Sequence, residues 1–221
     1  MKSSYTIPLA IIIGGIIVAI ALYASVPKSA TPSGGNPELV RPVVASDHIL
    51  GNPTAKVMVV EYSDFNCSHC KAFNETMHQI IANEGVNGQV AWVYREFPLT
   101  EAPSDSFSHA RAAECVAQVA GNDMFWKFET ALFANQPVDP TNYGTIAKSA
   151  GVSGDAFAKC YSTASSTLDA RIMADRQNAL DMGAQGTPYS LILVANKPPV
   201  VMAGGYSYDA AKQLIDQALA N

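Results

Sequence analysis

Val57-Met58-Val59-Val60-Glu61-Tyr62-Ser63-Asp64-Phe65-Asn66-Cys67-Ser68-His69-Cys70 is the stretch from which both fold and chemistry can be read. Its first seven residues form a nearly continuous apolar run, the pattern of a strand covered on both faces of a sheet. From Cys67 to about Glu84 the period changes, with Cys70, Phe73, Met77 and Ile80/Ile81 falling on one helical face. The two thiols therefore open a helix. Unpaired N–H groups at that helix start stabilise the first sulfur as thiolate, the form that attacks disulfides. A Cys-x-x-Cys pair can also be half of a zinc site, but such sites need four ligands. Cys115 and Cys160 are isolated, and His48, His69, His78 and His109 lack ligand spacing. The ligand count thus favours thiol–disulfide chemistry and no metal.

Working outward, Val90-Ala91-Trp92-Val93-Tyr94 reads as a second strand, and a strand–helix–strand crossover of this length implies a parallel pair. The next eighty or so residues are helical in pattern. Ser104 or Asp105 caps a helix carrying Ala112, Cys115, Val116 and Val119 and stopped by Gly121. Asn122 or Asp123 caps another with Phe125, Phe128 and Leu132 inward. Asp139-Pro140 opens a third ending at Gly151, and Ser153 a short one bearing Phe157 and Cys160. A longer helix runs from about Ser165 to Met182 and stops at Gly183. Strand character returns at Tyr189–Val194, followed by a Lys197-Pro198-Pro199 turn, Val200-Val201-Met202 and a last helix near Tyr208–Ala220. The order βαβ, helices, ββα predicts an α/β fold: a mixed sheet with helices on its faces and an all-helical lobe inserted at about 103–183.

The 221 residues are 48% hydrophobic, enough for one sizeable core, and the formal charge of −5 leaves no basic footprint for nucleic acid. After a short flank, 1–6, residues 7–26 carry no charge and as a helix would match the hydrocarbon thickness of a bilayer. The alternative is a cleaved signal peptide with Lys2 as its charged start, but the run exceeds the usual 7–15-residue apolar core. A single-pass anchor in the inner or cytoplasmic membrane is therefore expected. Either reading exports the rest of the chain. Residues 27–46, rich in Pro, Gly and Ser, read as a flexible tether to a domain at 47–221.

Several separated motifs resemble the DsbA-like thiol:disulfide oxidoreductases. They are Ile49–Val57, Val60–Cys70, Ala110-Arg111-Ala112-Ala113-Glu114-Cys115, Phe125-Trp126-Lys127-Phe128, Phe157-Ala158-Lys159-Cys160 and Gly183-Ala184-Gln185-Gly186-Thr187-Pro188. The resemblance covers about 47–221. It implies a thioredoxin-like sheet interrupted by a helical lobe, an oxidising extracytoplasmic or periplasmic compartment, and a Cys pair that shuttles disulfides.

By that resemblance Cys67 is the nucleophile, Cys70 the resolving thiol, and His69 a stabiliser of the Cys67 thiolate. Thr187 and Pro188 form a cis-proline loop opposite the pair, where the Thr187 backbone would meet an extended substrate chain. From residue type alone, an X–Pro bond is expected to be trans. Glu61, a lone acid in an apolar strand, either reaches solvent or is buried and relays protons to the resolving thiol. Cys115 and Cys160 are either two core thiols or, as the resemblance implies, a disulfide stapling the lobe. Ser68 departs from the proline found in much of the family and leaves the potential open. The implied function is oxidation of exported protein thiols, with reoxidation by a membrane-embedded, quinone-linked thiol oxidase. An isomerase, a reductase or a peptide-binding holdase of the same fold are the alternatives. No organic cofactor or metal is required, and no Gly-rich phosphate loop is evident.

Overall fold

The computed structural model describes residues 35–99, 105–163 and 166–220. The expected membrane or signal segment 7–26, its flank 1–6, the tether up to residue 34, and Ser104 and Ser165 lie outside them. Among the described residues no helix is long and apolar enough to cross a membrane.

Five strands, β1 (His48–Gly51), β2 (Val57–Ser63), β3 (Val90–Glu96), β4 (Tyr189–Val194) and β5 (Val200–Ala203), form one sheet in the order β1-β3-β2-β4-β5. β2 and β3 run parallel, joined by helix α1 (Ser68–Asn83), and every other neighbouring pair is antiparallel. This is the mixed α/β sheet expected from the pattern. Both faces are covered. On β2, Val57 and Val59 join Trp92, Phe73, Met77 and Ile215 in one core, while Val60 and Tyr62 join Val93, Ala179 and Leu191 in the other. The strand thus reads as continuously apolar although its side chains alternate in direction. Each such side chain contributes about 1.5–3 kcal/mol by leaving water.

The inserted lobe comprises α2 (Ser106–Ala120), α3 (Asn122–Ala134), a 3₁₀ turn at Pro140–Asn142, α4 (Tyr143–Ser149) and α5 (Gly154–Ser162). Helix α6 (Ser166–Asp181) returns to the sheet, and α7 (Tyr208–Ala220) closes the fold. The lobe does not have a core of its own: Phe125, Phe128, Leu132 and Phe157 are continuous with the α1 face of the sheet. Cys115 on α2 and Cys160 on α5 are disulfide-bonded across 45 residues, and closing a loop of that length stabilises by about 4 kcal/mol.

Four expectations change. No strand is expected before residue 57, yet β1 pairs with β3 from His48↔Tyr94 to Gly51↔Ala91. Four residues ending on Gly51 at φ 104 are too few to show alternation. Neither Asn122 nor Asp123 caps α3; Gly121, at φ 83, serves as cap between α2 and α3. The Asn122 amide instead pairs with both main-chain groups of Ile49, at 2.8 and 3.1 Å, and so holds β1 against the lobe. The β4–β5 turn falls at 195–197, one residue or more ahead of the two prolines, with Asn196 at φ 62.

The fourth change concerns the tether, because residues 35–46 are fastened to the domain. Asn178 of α6 donates to Leu39 O (2.8 Å) and accepts from Arg41 N (3.2 Å) and the Tyr62 hydroxyl (2.6 Å). Arg41 pairs with Asp175. Arg95, buried on β3, donates to Arg41 O and Pro42 O, both at 3.1 Å, and forks onto Asp47 at 3.0 and 3.1 Å. Composition suggests a free linker here, but the peptide carbonyls themselves serve as partners for buried polar side chains.

Candidate active site

The loop from β2 into α1 is fixed before the cysteines begin. Asp64 accepts from Asn66 N and Leu99 N, both at 2.8 Å, and Cys67 N donates to Asp64 O at 3.1 Å. From the lobe, Gln136 donates to Phe65 O at 2.9 Å. This turn leaves Cys67 at the N-cap of α1 with extended backbone, φ −86 and ψ 123. An N-cap side chain faces the free N–H groups of the second and third helical residues, here His69 and Cys70. Cys67 is partly exposed, whereas Cys70, three residues into the helix, has no exposed surface.

That placement separates the two thiols chemically. Cys67 is held down to about 5 from an ordinary value near 9, chiefly by a hydrogen bond from the Cys70 thiol. Partial burial opposes this, while Thr187 and the N–H groups of Cys70 and His69 add to it. No cap bond of normal geometry closes onto the protonated sulfur, so these donors act on the thiolate. Cys70 moves the opposite way: burial first, then the Cys67 sulfur and the Glu61 carboxyl, raise it well above the usual thiol range. The contribution of His69 comes through its main chain, and its side chain lies at an exposed position.

Thr187 and Pro188 stand opposite the pair, joined by a cis peptide bond where residue type alone favours trans. Cys67 Sγ donates to Thr187 O at 3.5 Å, and Gly204 N holds Pro188 O at 2.9 Å. The buried Thr187 hydroxyl has no other hydrogen-bond partner and is free to donate to a Cys67 thiolate. Thr187 can thus accept from the thiol and donate to the thiolate.

Glu61 lies on the α1 face of the sheet, in step with Val57 and Val59, and none of its surface is exposed. The solvent-reaching alternative is therefore excluded. Trp92 Nε1 donates to its Oε2 at 2.9 Å, and its Oε1 has no partner. Burial is the main cause that pushes Glu61 up to about 8; Glu129 and Cys67 push the same way, while Ser63 and Trp92 oppose. A neutral carboxyl beside a buried thiol can supply a proton there, and the carboxylate left behind can take one back.

Cys67, Cys70, Glu61, Thr187 and Pro188 are thus gathered at one end of the sheet, while the Cys115–Cys160 bond belongs to the lobe. The sequence reading passes over Glu129 and Asn74 and weighs His78 only as a metal ligand. Glu129 accepts from Asn74 Nδ2, from Thr130 Oγ1 at 3.0 Å and from His78 Nε2 at 3.3 Å. The signal was available: Glu129 is the one acid among the inward positions 125, 128, 129 and 132 of α3. Among the described residues no cluster of His, Cys, Asp and Glu is arranged to hold a metal ion.

A family model described as Thioredoxin matches residues 44–216. The Na(+)/H(+) antiporter NhaA 1 of Mycolicibacterium gilvum is 30% identical over 153 residues, which are 68% of this chain and 24% of that protein. The chain therefore spans about a quarter of the length of such antiporters. Disulfide bond formation protein D of Bacillus subtilis is 25% identical over 205 residues, covering 87% of this chain and 86% of that one. The crystal structure of Wolbachia pipientis alpha-DsbA1 superposes with a TM-score of 0.69 at 22% identity, over 84% of this chain and 96% of that one. With the βαβ…ββα sheet, the inserted lobe and the Thioredoxin match over 44–216, the chain belongs to the thioredoxin family and has a DsbA-like fold.

Proposed function

We propose that the chain is a thiol:disulfide oxidoreductase that donates a disulfide to exported proteins through Cys67 and Cys70. The observation that carries this reading is the placement of the two thiols: Cys67, partly exposed at the cap of α1, lies 3.5 Å from Thr187 O beside the cis Thr187–Pro188 bond, while Cys70 has no exposed surface. A substrate thiolate attacks Cys67 Sγ in the Cys67–Cys70 disulfide, so a mixed disulfide forms and the sulfur of Cys70 leaves with the electron pair. Cys70 takes a proton from Glu61. A second substrate thiolate then attacks the substrate sulfur, completing the substrate disulfide and expelling Cys67 as thiolate. Two electrons pass to the protein, which ends with Cys67 as thiolate and Cys70 as thiol. A leaving group of low proton affinity departs faster, and its stability in the reduced protein drives the transfer forward. Holding Cys67 near 5 rather than 9 favours the reduced protein at neutral pH, by about 3 kcal/mol or roughly 60 mV towards an oxidant as an upper bound that solvent screening of this partly exposed sulfur lowers.

The Thr187–Pro188 loop holds an extended substrate chain through the Thr187 backbone. His69 acts on Cys67 through its N–H. Anchoring through 7–26 keeps the domain at the outer face of the membrane, where a membrane-embedded, quinone-linked thiol oxidase restores the disulfide. The likeness to the antiporters covers a quarter of their length and carries no transport activity to this chain.

Equilibration of the purified protein with a glutathione series tests the reading. A poise well above that of thioredoxin supports the oxidase, a poise near it points to a reductase or isomerase, and a pair that does not exchange leaves a peptide binder. C67S is expected to abolish turnover and C70S to accumulate mixed disulfides; turnover persisting in C67S would remove Cys67 as nucleophile.

A further inference from the structure

We propose that Glu129 of α3 and His78 of α1 are positioning residues for proton delivery to Cys70: a buried carboxyl and a solvent-reaching imidazole whose joint charge sets how firmly Glu61 holds its proton. The inference rests on the oxidoreductase reading.

Asn74 and His78 follow Cys70 by one and two turns of the same helix face, and both side chains meet the Glu129 carboxyl. Glu129 has no exposed surface, whereas 33% of the His78 side chain is exposed. With Thr130, Trp126, Asp123 and Lys127, His78 rims a surface cavity of about 510 Å³. The His78 ring stands edge-on to Trp92 with centroids 5.2 Å apart, and the Trp92 indole donates to Glu61. A single indole therefore connects the His78–Glu129 pair to Glu61. The lobe, through α3, contributes a charge to chemistry that takes place on α1.

Two carboxyls in one poorly solvated region cannot both ionise cheaply. Burial raises Glu129 above the usual carboxylate range, and its contacts with His78, Thr130 and Asn74 oppose that rise; the charge they favour on Glu129 in turn favours the protonated form of Glu61. Glu61 then has a proton available when the sulfur of Cys70 leaves the disulfide. Take away the charge on Glu129, and Glu61 releases its proton at lower pH. The other groups facing Glu61 are Ser63 on β2, Trp92 and Tyr94 on β3, and Cys67 and Cys70 on α1. Those facing Glu129 are Asn74 and His78 on α1, Thr130 on α3, and Glu61 and Tyr94 on the sheet. Glutamine removes the charge of Glu129 and keeps one of the two acceptor oxygens it uses, so the position of the break, rather than the fold alone, reports the charge.

The test is the reduction potential of the full chain against glutathione from pH 5 to 9.5, for wild type, E61Q, E129Q and H78Q, with near-ultraviolet circular dichroism as a check of fold. The slope of potential against pH breaks where a group titrates differently in the oxidised and reduced protein, and the break lost in E61Q belongs to Glu61. E129Q is expected to move that break acidward by on the order of one pH unit, and H78Q to move it in the same direction. The double variant is expected to move it no further than E129Q, because the pair acts as one unit. A break unmoved in folded E129Q or in H78Q overturns the inference, as does its absence from wild type. His78 is partly exposed, so H78Q decides the matter where E129Q does not fold. A wild-type pair that never exchanges with glutathione would instead reject the oxidoreductase reading, a separate and recognisable outcome.

Discussion

At the scale of single residues, two identical side chains three positions apart differ because of where the helix begins. Cys67 occupies the cap and gathers donors; Cys70 is inside the first turn, under the sheet face, and gathers burial and like charge. The largest single cause acting on Cys67 is the Cys70 thiol itself, so removing that donor has a definite sign. In C70A the absorbance titration of the Cys67 thiolate near 240 nm is expected to shift upward from its midpoint near 5, towards the ordinary thiol range. An unchanged midpoint would mean that the helix N–H groups and Thr187 suffice. Glu61 shows the limit of reading single residues: a lone acid in an apolar strand signals either an edge or a buried function. Only its neighbours Trp92 and Cys70 distinguish the two.

At the scale of elements, the helices and strands follow from period and stop signals, while their attachments do not. The β2 run, the α1 stripe and the Gly121 and Gly183 stops are legible because each is a local pattern. β1 is too short for a period to emerge, and the peptide 35–46 has linker composition, yet both are held by side chains far away in sequence. Asn178 concentrates this: it is 137 residues from Arg41 and 116 from Tyr62, and it binds both. N178A removes three hydrogen bonds at a largely buried site and leaves Tyr62 and two main-chain groups with fewer partners. A loss of about 2–3 kcal/mol is expected in urea unfolding. The thiol titration of Cys67 is expected to stay unchanged, since Asn178 packs on the opposite face of the sheet. A loss under half of that would mean that water or Arg95 takes over its contacts.

At the scale of the whole molecule, the site makes stability depend on both pH and redox state. Cys67, depressed in the folded reduced protein, adds stability that is complete above its ordinary value near 9 and is lost as pH falls through about 5. Glu61, raised in the folded state, adds stability below its ordinary value near 4.5 that is lost as pH rises through about 8. In the disulfide form Cys67 does not titrate, so only the second dependence remains. The reduced protein is therefore expected to gain on the oxidised one by on the order of 2 kcal/mol between about pH 5 and about pH 7. Denaturant unfolding of both forms across that window measures the difference, and parallel profiles would contradict the assignment of Cys67. By itself the sequence determined the order of elements from β2 onward and the two thiols at a helix start, because these depend on local period. Only the tertiary structure decided that Glu61 is buried, that Thr187–Pro188 faces the sulfur, that residues 35–46 are fastened down, and that Glu129 reaches the redox helix. Burial and electric field depend on which distant segments meet, and in a single chain no local pattern records that.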